Sequence, residues 1–334
     1  MGVSHTGPVF QGPAFAPTSP GDPAVVSGHR ISARLGTGAR GRVYFAHAPG
    51  GRPVALTVIR AELAEQSDFA ARFHRDAQAA GRVRGPFTVP VTGSGKEGER
   101  YWIASAYVPA VSLHAAVRGA GPLPTGVVLR LVAGIAEGLR SIHHAGVVHG
   151  DLRPAHVLLA ADGPRIKDYG IARTSDTALL TGTAAANGAP VFLTPEQAAG
   201  KPSVPATDVF ALGQLAAYAS IGTAPFGDGP AHTVLSRVQQ EEPDLSELPG
   251  ELREIVTRCL IKAPALRPSP AQIIAMCAQA SPDATRPRAD PWLPPALRAA
   301  VVPAPPPTAP GGVGAPPAHP AYPPDAGIGP PPGL

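Results

Sequence analysis

Apolar and polar residues alternate in short runs through the first third of the chain, then give way to longer blocks with helical spacing. Between 28 and 60 the runs ISARLG, RVYFAHA and PVALTVIR are separated by turn signals, notably Ala48-Pro49-Gly50-Gly51. β-Branched and aromatic residues in runs broken by Gly and Pro predict an antiparallel meander. Over 66–83 the period changes: Phe69, Phe73, Ala77 and Ala80 recur at helical spacing and share one face. TVPVTGSG and YWIASAYV read as two more strands. After Pro109 helices dominate. Residues 127–145 are amphipathic, and 205–221 are apolar nearly all round, which predicts a buried helix. ELREIVTRCLIK and PAQIIAMCAQ add two further helices. Strands first and helices afterwards predict an α+β protein of two lobes.

Composition changes the picture at the ends. Of 43 prolines, 18 fall within 282–334 and five within the first 23 residues. Stretches such as PAPPPTAP favour polyproline II and build no core. Residues 1–27 are therefore expected to be a disordered leader, 281–334 a Pro-rich disordered tail, and 28–280 the folded block. A hydrophobic fraction of 44% is enough for that block to bury a core. No uncharged apolar run reaches the length of a membrane span, and without a basic patch followed by an apolar stretch near residue 1 no secretory signal is expected. Met1-Gly2 with Thr6 fits a myristoylation pattern of low specificity. Cys259 and Cys277 are too few for a disulfide framework or a zinc cluster, so a reducing, cytoplasmic compartment is expected. A net charge of +4 without a basic block argues against a dedicated nucleic-acid binder. His143 and His144 are adjacent on a predicted helix and face different ways, so they do not pair as metal ligands.

The candidate chemistry begins at Gly36-Thr37-Gly38-Ala39-Arg40-Gly41-Arg42-Val43, a G-x-G-x-x-G-x-V run between two strands. Glycines let backbone N–H groups approach phosphates closely. Alone the signal is weak in a glycine-rich chain, and a dinucleotide-binding version would open a helix, where here a strand follows. Further elements follow in order. Val54-Ala55-Leu56-Thr57 stands at the spacing of V-A-I-K. Val148-His149-Gly150-Asp151-Leu152-Arg153-Pro154-Ala155-His156 is similar to H-R-D-L-K-P-x-N. Asp168-Tyr169-Gly170 is similar to D-F-G, and Thr194-Pro195-Glu196 to A-P-E. Asp208 opens the buried helix, and Arg267 lies near the end of the block. The chain resembles the bacterial Ser/Thr protein kinase family, of the actinobacterial type, over roughly 28–280. The resemblance implies a β-rich N-lobe (28–107), a helical C-lobe (109–280) and a nucleotide cleft between them. It also implies ATP and Mg²⁺ as cofactors and proteins as substrates or partners.

Residue by residue, the resemblance implies that Gly36, Gly38 and Gly41 cradle phosphates. Leu35, Val43, Ala55 and Leu158 would enclose an adenine ring, with Ser105 as gatekeeper and Ala106, Tyr107 and Val108 as hinge. Asp151 would be the catalytic base, Arg153 would replace the neighbouring lysine, and Asp168 would hold a metal ion. Glu196 with Arg267, and Asp208 beneath the catalytic loop, would be structural. His149 and Tyr169 would stack in the apolar spine.

Several positions depart from the family pattern. Thr57 replaces the lysine that grips the phosphates and carries no charge. Asp76 replaces that lysine's glutamate partner and is expected to turn toward solvent or an arginine. His156 replaces a magnesium-binding asparagine, and imidazole is a poor ligand for Mg²⁺. Gly150 replaces the arginine that reads a phosphorylated loop, and Ala189 a threonine of the substrate loop. Thr174, Ser175, Thr177, Thr181 and Thr183 are either phosphorylation sites or polar loop. The chain has only four lysines, and Lys167 directly precedes Asp168. Lys167 either supplies the missing cation, forms a salt bridge that replaces a metal ion, or points to solvent. Arg40 and Arg42 are further candidates. The Pro-rich tail is a spacer or docks a partner's aromatic groove.

Phosphoryl transfer depends on positioning and charge neutralisation. Losing one such group typically removes roughly 10²-fold or more from the rate. These departures favour a catalytically impaired kinase, or pseudokinase, acting as scaffold or allosteric regulator. The alternatives are an active or weakly active Ser/Thr kinase and a nucleotide sensor.

Overall fold

The computed structural model describes residues 15–38, 40–65, 68–170, 192–285 and 291–301. Six strands build the first lobe: β1 (Val25–Val26), β2 (His29–Thr37), β3 (Gly41–His47), β4 (Pro53–Ile59), β5 (Val91–Glu97) and β6 (Arg100–Ala106). They pair antiparallel in the order β1-β2-β3-β4-β6-β5. The β3–β4 turn closes at Ala48–Gly51, where the Gly51 N–H donates to the Ala48 carbonyl at 2.7 Å. Gly51 sits at φ +76°, which an L side chain rarely adopts. Two helices follow β4, α1 (Ala61–Ala64) and α2 (Phe69–Ala80). The α2 face read from the sequence is buried, and Phe69 and Phe73 each meet the Tyr101 ring of β6 edge-on at 5.0 Å.

The second lobe opens with β7 (Ala110–Ser112), α3 (Leu113–Ala120) and α4 (Thr125–His144). β7 joins β8 (Val157–Ala160) and β9 (Gly163–Ile166) in a small antiparallel sheet. The remaining helices are α5 (Pro195–Ala198), α6 (Pro205–Ile221), α7 (Ala231–Gln240), α8 (Gly250–Cys259), α9 (Pro270–Ala280) and α10 (Pro295–Val301). The nearly continuous apolar sequence of α6 explains why it runs through the core, flanked by α4 and α8. At Gly213 a Cβ would lie 2.7 Å from the Cβ of Cys259, so glycine permits the close α6–α8 approach. No helix among the described residues is long and apolar enough to cross a membrane.

The folded body extends past both ends of the 28–280 block. Phe15 packs on the rings of Phe45 (5.2 Å) and Tyr107 (6.0 Å), and Ala16 exchanges two backbone hydrogen bonds with Arg34 of β2. Asp22 accepts from Arg34 and from the Tyr44 hydroxyl (2.7 Å). At the other end, the Trp292 indole N–H donates to the Ala160 carbonyl at 2.8 Å, and Leu297, Ala300 and Val301 of α10 are buried. Prolines recur through these segments, yet a few widely spaced anchors find partners elsewhere in the fold. Residues 1–14 and 302–334 lie outside the described residues.

Candidate functional site

The glycine-rich turn links β2 to β3. The Gly38 N–H donates to the Gly41 carbonyl (2.9 Å), and the Gly41 N–H returns to Gly38 at 3.3 Å. Arg60, just past β4, donates from Nη2 to the Gly38 carbonyl (3.0 Å) and from its N–H to the Arg40 carbonyl (2.9 Å). A Cβ on Gly41 would lie 1.9 Å from the Val58 carbonyl oxygen, so only glycine lets the turn lie against β4.

Strand register assembles a wall beneath the turn. Val43 pairs with Thr57, Ala55 with Ser105, and Thr57 with Ile103. Side chains alternate across a sheet, so Val43, Ala55, Thr57 and Ser105 share one face. Leu35, Val43, Ala55, Thr57, Ser105, Ala106, Tyr107, Val108 and Leu158 are all half-buried, the exposure an open slot gives its walls. The Tyr107 ring meets Phe45 at 4.9 Å, and burial raises its phenol above the ordinary range.

Across from this wall, charged groups converge on Asp168. Lys167 Nζ lies 2.5 Å from Asp168 Oδ2. Arg40 reaches over from the glycine turn, with Nη1 3.8 Å from Oδ1 and Nη2 donating to the Asp168 carbonyl at 3.3 Å. Burial opposes ionisation of Asp168, but Lys167, Arg40 and His156 override it and hold the carboxyl well below the usual carboxylate range. Asp168 adopts φ +66°, a left-handed conformation that aspartate tolerates better than most residues.

His156 sits between the two acidic groups. Its Nδ1–H donates to the Asp151 backbone carbonyl at 2.7 Å, and the same nitrogen lies 3.4 Å from Asp151 Oδ2. That bond assigns the lone pair to Nε2, which lies 3.8 Å from Asp168 Oδ2. Burial pushes the imidazole down to about 3, so the ring is neutral at pH 7. Arg153 is half-buried and precedes the short turn Pro154–His156.

A second network holds the loop that carries Asp151. Asp208, at the start of α6, accepts the backbone N–H groups of His149 and Gly150, each at 2.9 Å. His143 Nε2 of α4 joins the same carboxylate at 2.7 Å. Nothing local in the sequence of α4 marks this partner, 65 residues away. His149 is fully buried, donates from Nε2 to the Lys167 carbonyl (3.1 Å) and accepts the Asp151 N–H at Nδ1 (3.2 Å). Burial lowers its imidazole below the ordinary value.

Some expectations change. The ring stacked on His149 is that of His156, with centroids 6.0 Å apart. Tyr169 is instead tied by its hydroxyl, which donates to the Val89 carbonyl at 2.7 Å, and burial pushes the phenol up to about 12. Of the two outcomes expected for Asp76, solvent or an arginine, the structure has the arginine. Asp76 stays buried because it shares the α2 face of Phe73, Ala77 and Ala80, with Arg75 Nε 3.5 Å from its Oδ1. Arg42 points away from the cleft and lies 3.2 Å from Asp22. Glu196 and Arg267 form a buried pair with two bonds of 2.8 and 2.9 Å. Ala189 and Thr174, Ser175, Thr177, Thr181 and Thr183 lie outside the described residues.

Residues 29–277 match the protein kinase domain family. The chain is 43% identical over 259 residues to the serine/threonine-protein kinase AfsK of Streptomyces coelicolor, covering 77% of this chain and 32% of that protein. It is 37% identical over 262 residues to the serine/threonine-protein kinase PkaA of the same organism, covering 73% of this chain and 48% of the relative. The chain thus spans a third to a half of these curated relatives. Among solved structures, the PknI kinase domain of Mycobacterium tuberculosis superposes with a TM-score of 0.63 at 28% identity, covering 77% of this chain and 97% of that domain.

Proposed function

The chain belongs to the protein kinase family, in its bacterial serine/threonine branch, and from that membership we propose that it is a catalytically impaired kinase acting by binding. As a pseudokinase it serves as scaffold or allosteric regulator of protein partners in signalling, in the cytoplasm. The observation that carries this is Thr57. It stands on β4 opposite Val43, where the family places the lysine that grips the phosphates, and it carries no charge. Asp76 is left paired with neighbouring Arg75 in place of that lysine.

The metal side supports the same conclusion. Kinase relatives imply ATP and Mg²⁺, and Asp168 and His156 occupy the ligand positions. One Asp168 oxygen contacts an ammonium group, and His156 offers nitrogen to an ion that prefers oxygen.

A second function is favoured by the retained Asp151, Arg153 and Asp168 and by the kinases among the relatives. The protein would then be an active or weakly active serine/threonine kinase. Asp151 would take the proton of an acceptor hydroxyl as its oxygen bonds the γ-phosphorus and the bond to the β-phosphate breaks.

Phosphate transfer to a protein acceptor, compared between the native chain and the Thr57→Lys, His156→Asn double variant, separates the two. The impaired reading expects the variant to be faster by roughly 10²-fold or more, the scale of single electrostatic groups. Equal rates at ordinary turnover overturn it.

A further inference from the structure

Thr57 leaves one wall of the cleft without a cation, but two cations converge on Asp168 across from it, Lys167 from the adjacent position and Arg40 from the glycine turn. Lys167 and Arg40 approach different oxygens of the Asp168 carboxylate, so two positive charges face one negative charge. Their side chains are only 32% and 12% exposed, which limits screening by water. Arg40 extends from the turn that Arg60 ties down and that Gly41 keeps close to β4, so its backbone is held in place.

We propose that the cleft takes a nucleoside triphosphate without a divalent metal ion, Arg40 and Lys167 holding its β- and γ-phosphates, a proposal that rests on the kinase-fold reading of the cleft. Both cations have donors to spare. Among the described residues, Arg40 makes one hydrogen bond, to the Asp168 carbonyl, out of five N–H donors. Lys167 makes one, to the Asp168 carboxylate, out of three. A guanidinium grips phosphate oxygens in pairs and an ammonium acts as a point charge, and the two together supply the charge neutralisation that a lysine and a metal ion otherwise share.

The donor set disagrees with Mg²⁺ on geometry as well as on chemistry. Mg²⁺ requires a nearly octahedral oxygen shell. Here the carboxylate it would use is in direct contact with Lys167, and the Nδ1–H bond of His156 to Asp151 presents only a nitrogen lone pair toward Asp168. The built-in cations take the place of that ion.

Calorimetric titration of the full chain with ATP and with adenosine, each in EDTA and in Mg²⁺, tests the proposal. ATP is expected to bind in EDTA more tightly than adenosine, with Mg²⁺ improving its Kd by less than about tenfold. Arg40→Gln and Lys167→Gln are each expected to weaken ATP by about tenfold or more and to leave adenosine unchanged, since a charged hydrogen bond to phosphate is lost. Arg40→Lys, which keeps the charge, is expected to retain binding. Unchanged adenosine affinity shows that a variant is folded. ATP binding that requires Mg²⁺, ATP no tighter than adenosine, or two glutamine variants with native ATP affinity would overturn the proposal. The transfer assay above reports on a separate question: turnover at the revertant's rate sinks the impaired kinase and leaves metal-free binding standing.

Discussion

Glu196 and Arg267, 71 residues apart, face each other in the buried interior of the helical lobe through two parallel hydrogen bonds of 2.8 and 2.9 Å. Arg267 also donates to the carbonyls of Ile261, Lys262 and Ala206, so one guanidinium joins α5, the start of α6 and the segment leading into α9. Glu196→Ala removes the counter-charge and leaves the guanidinium buried. Breaking such a pair costs about 3–5 kcal/mol, to be read from urea unfolding of the variant against the native chain. Burial works against the ionised glutamate, but Arg267 outweighs it and holds Glu196 below its ordinary range. The stabilisation is therefore present above about pH 4.3 and is lost as pH falls through the lower folded value. A variant as stable as the native chain at pH 7 would show the pair to be dispensable.

Asp22 makes a second, quite different prediction. Its carboxylate gathers Arg34, Arg42 and the Tyr44 hydroxyl, and so binds the segment before β1 to β2 and β3. The Arg34 hydrogen bond, chiefly, holds the carboxyl well below the usual range. A depressed folded value means that the contribution is complete above about pH 4 and fades only in stronger acid. Asp22→Asn is expected to lower the melting temperature at pH 7, and the gap to the native chain is expected to narrow as pH falls below about 4. A gap that stays constant with pH would show that the charge on Asp22 is not what holds the segment.

Periodicity made much of this fold legible. The β2–β4 meander, the Phe69/Phe73 face and the buried α6 each leave a local pattern of apolar residues, and local patterns are what a sequence displays. Asp22 and Trp292 leave none. Each is a single side chain in a proline-containing segment without apolar periodicity, and its partner, Arg34 or Ala160, lies 12 or 132 residues away on another element. Around Asp168 the residue types were legible, including the lysine beside it, but the approach of Arg40 from 128 residues away depends on how the glycine turn lies over the second lobe. The same holds for His143. Its bond to Asp208 exists because α4 and α6 pack side by side, which spacing within α4 does not reveal.

The segment 291–301 should behave as part of the folded body. Trp292 is 6% exposed, its indole N–H is satisfied by Ala160, and α10 buries Leu297, Ala300 and Val301. Trp292→Ala removes a large apolar surface and orphans a carbonyl, at a cost of about 3–5 kcal/mol. Truncation after 281 is expected to cost at least as much, whereas truncation after 301 leaves all these contacts in place. Chemical unfolding of the three proteins measures this directly. Equal stability of the chains ending at 281 and 301 would return the segment to the tail.

The contact between His143 and Asp208 links α4 to the loop that presents Asp151. Asp208 uses one oxygen for the Gly150 N–H and shares the other between the His149 N–H and His143 Nε2, with His143 at 2.7 Å the shorter contact. The carboxylate is almost wholly buried, so an acceptor site left unfilled finds little water. His143→Ala is therefore expected to cost about 1–3 kcal/mol of stability and, more specifically, to speed amide hydrogen exchange at His149 and Gly150. His143→Gln, which returns an N–H donor on a side chain of comparable reach, is expected to recover part of both effects. Exchange at those two amides that matches the native rate in His143→Ala, with stability lost elsewhere, would mean that His143 packs α4 without steadying the loop.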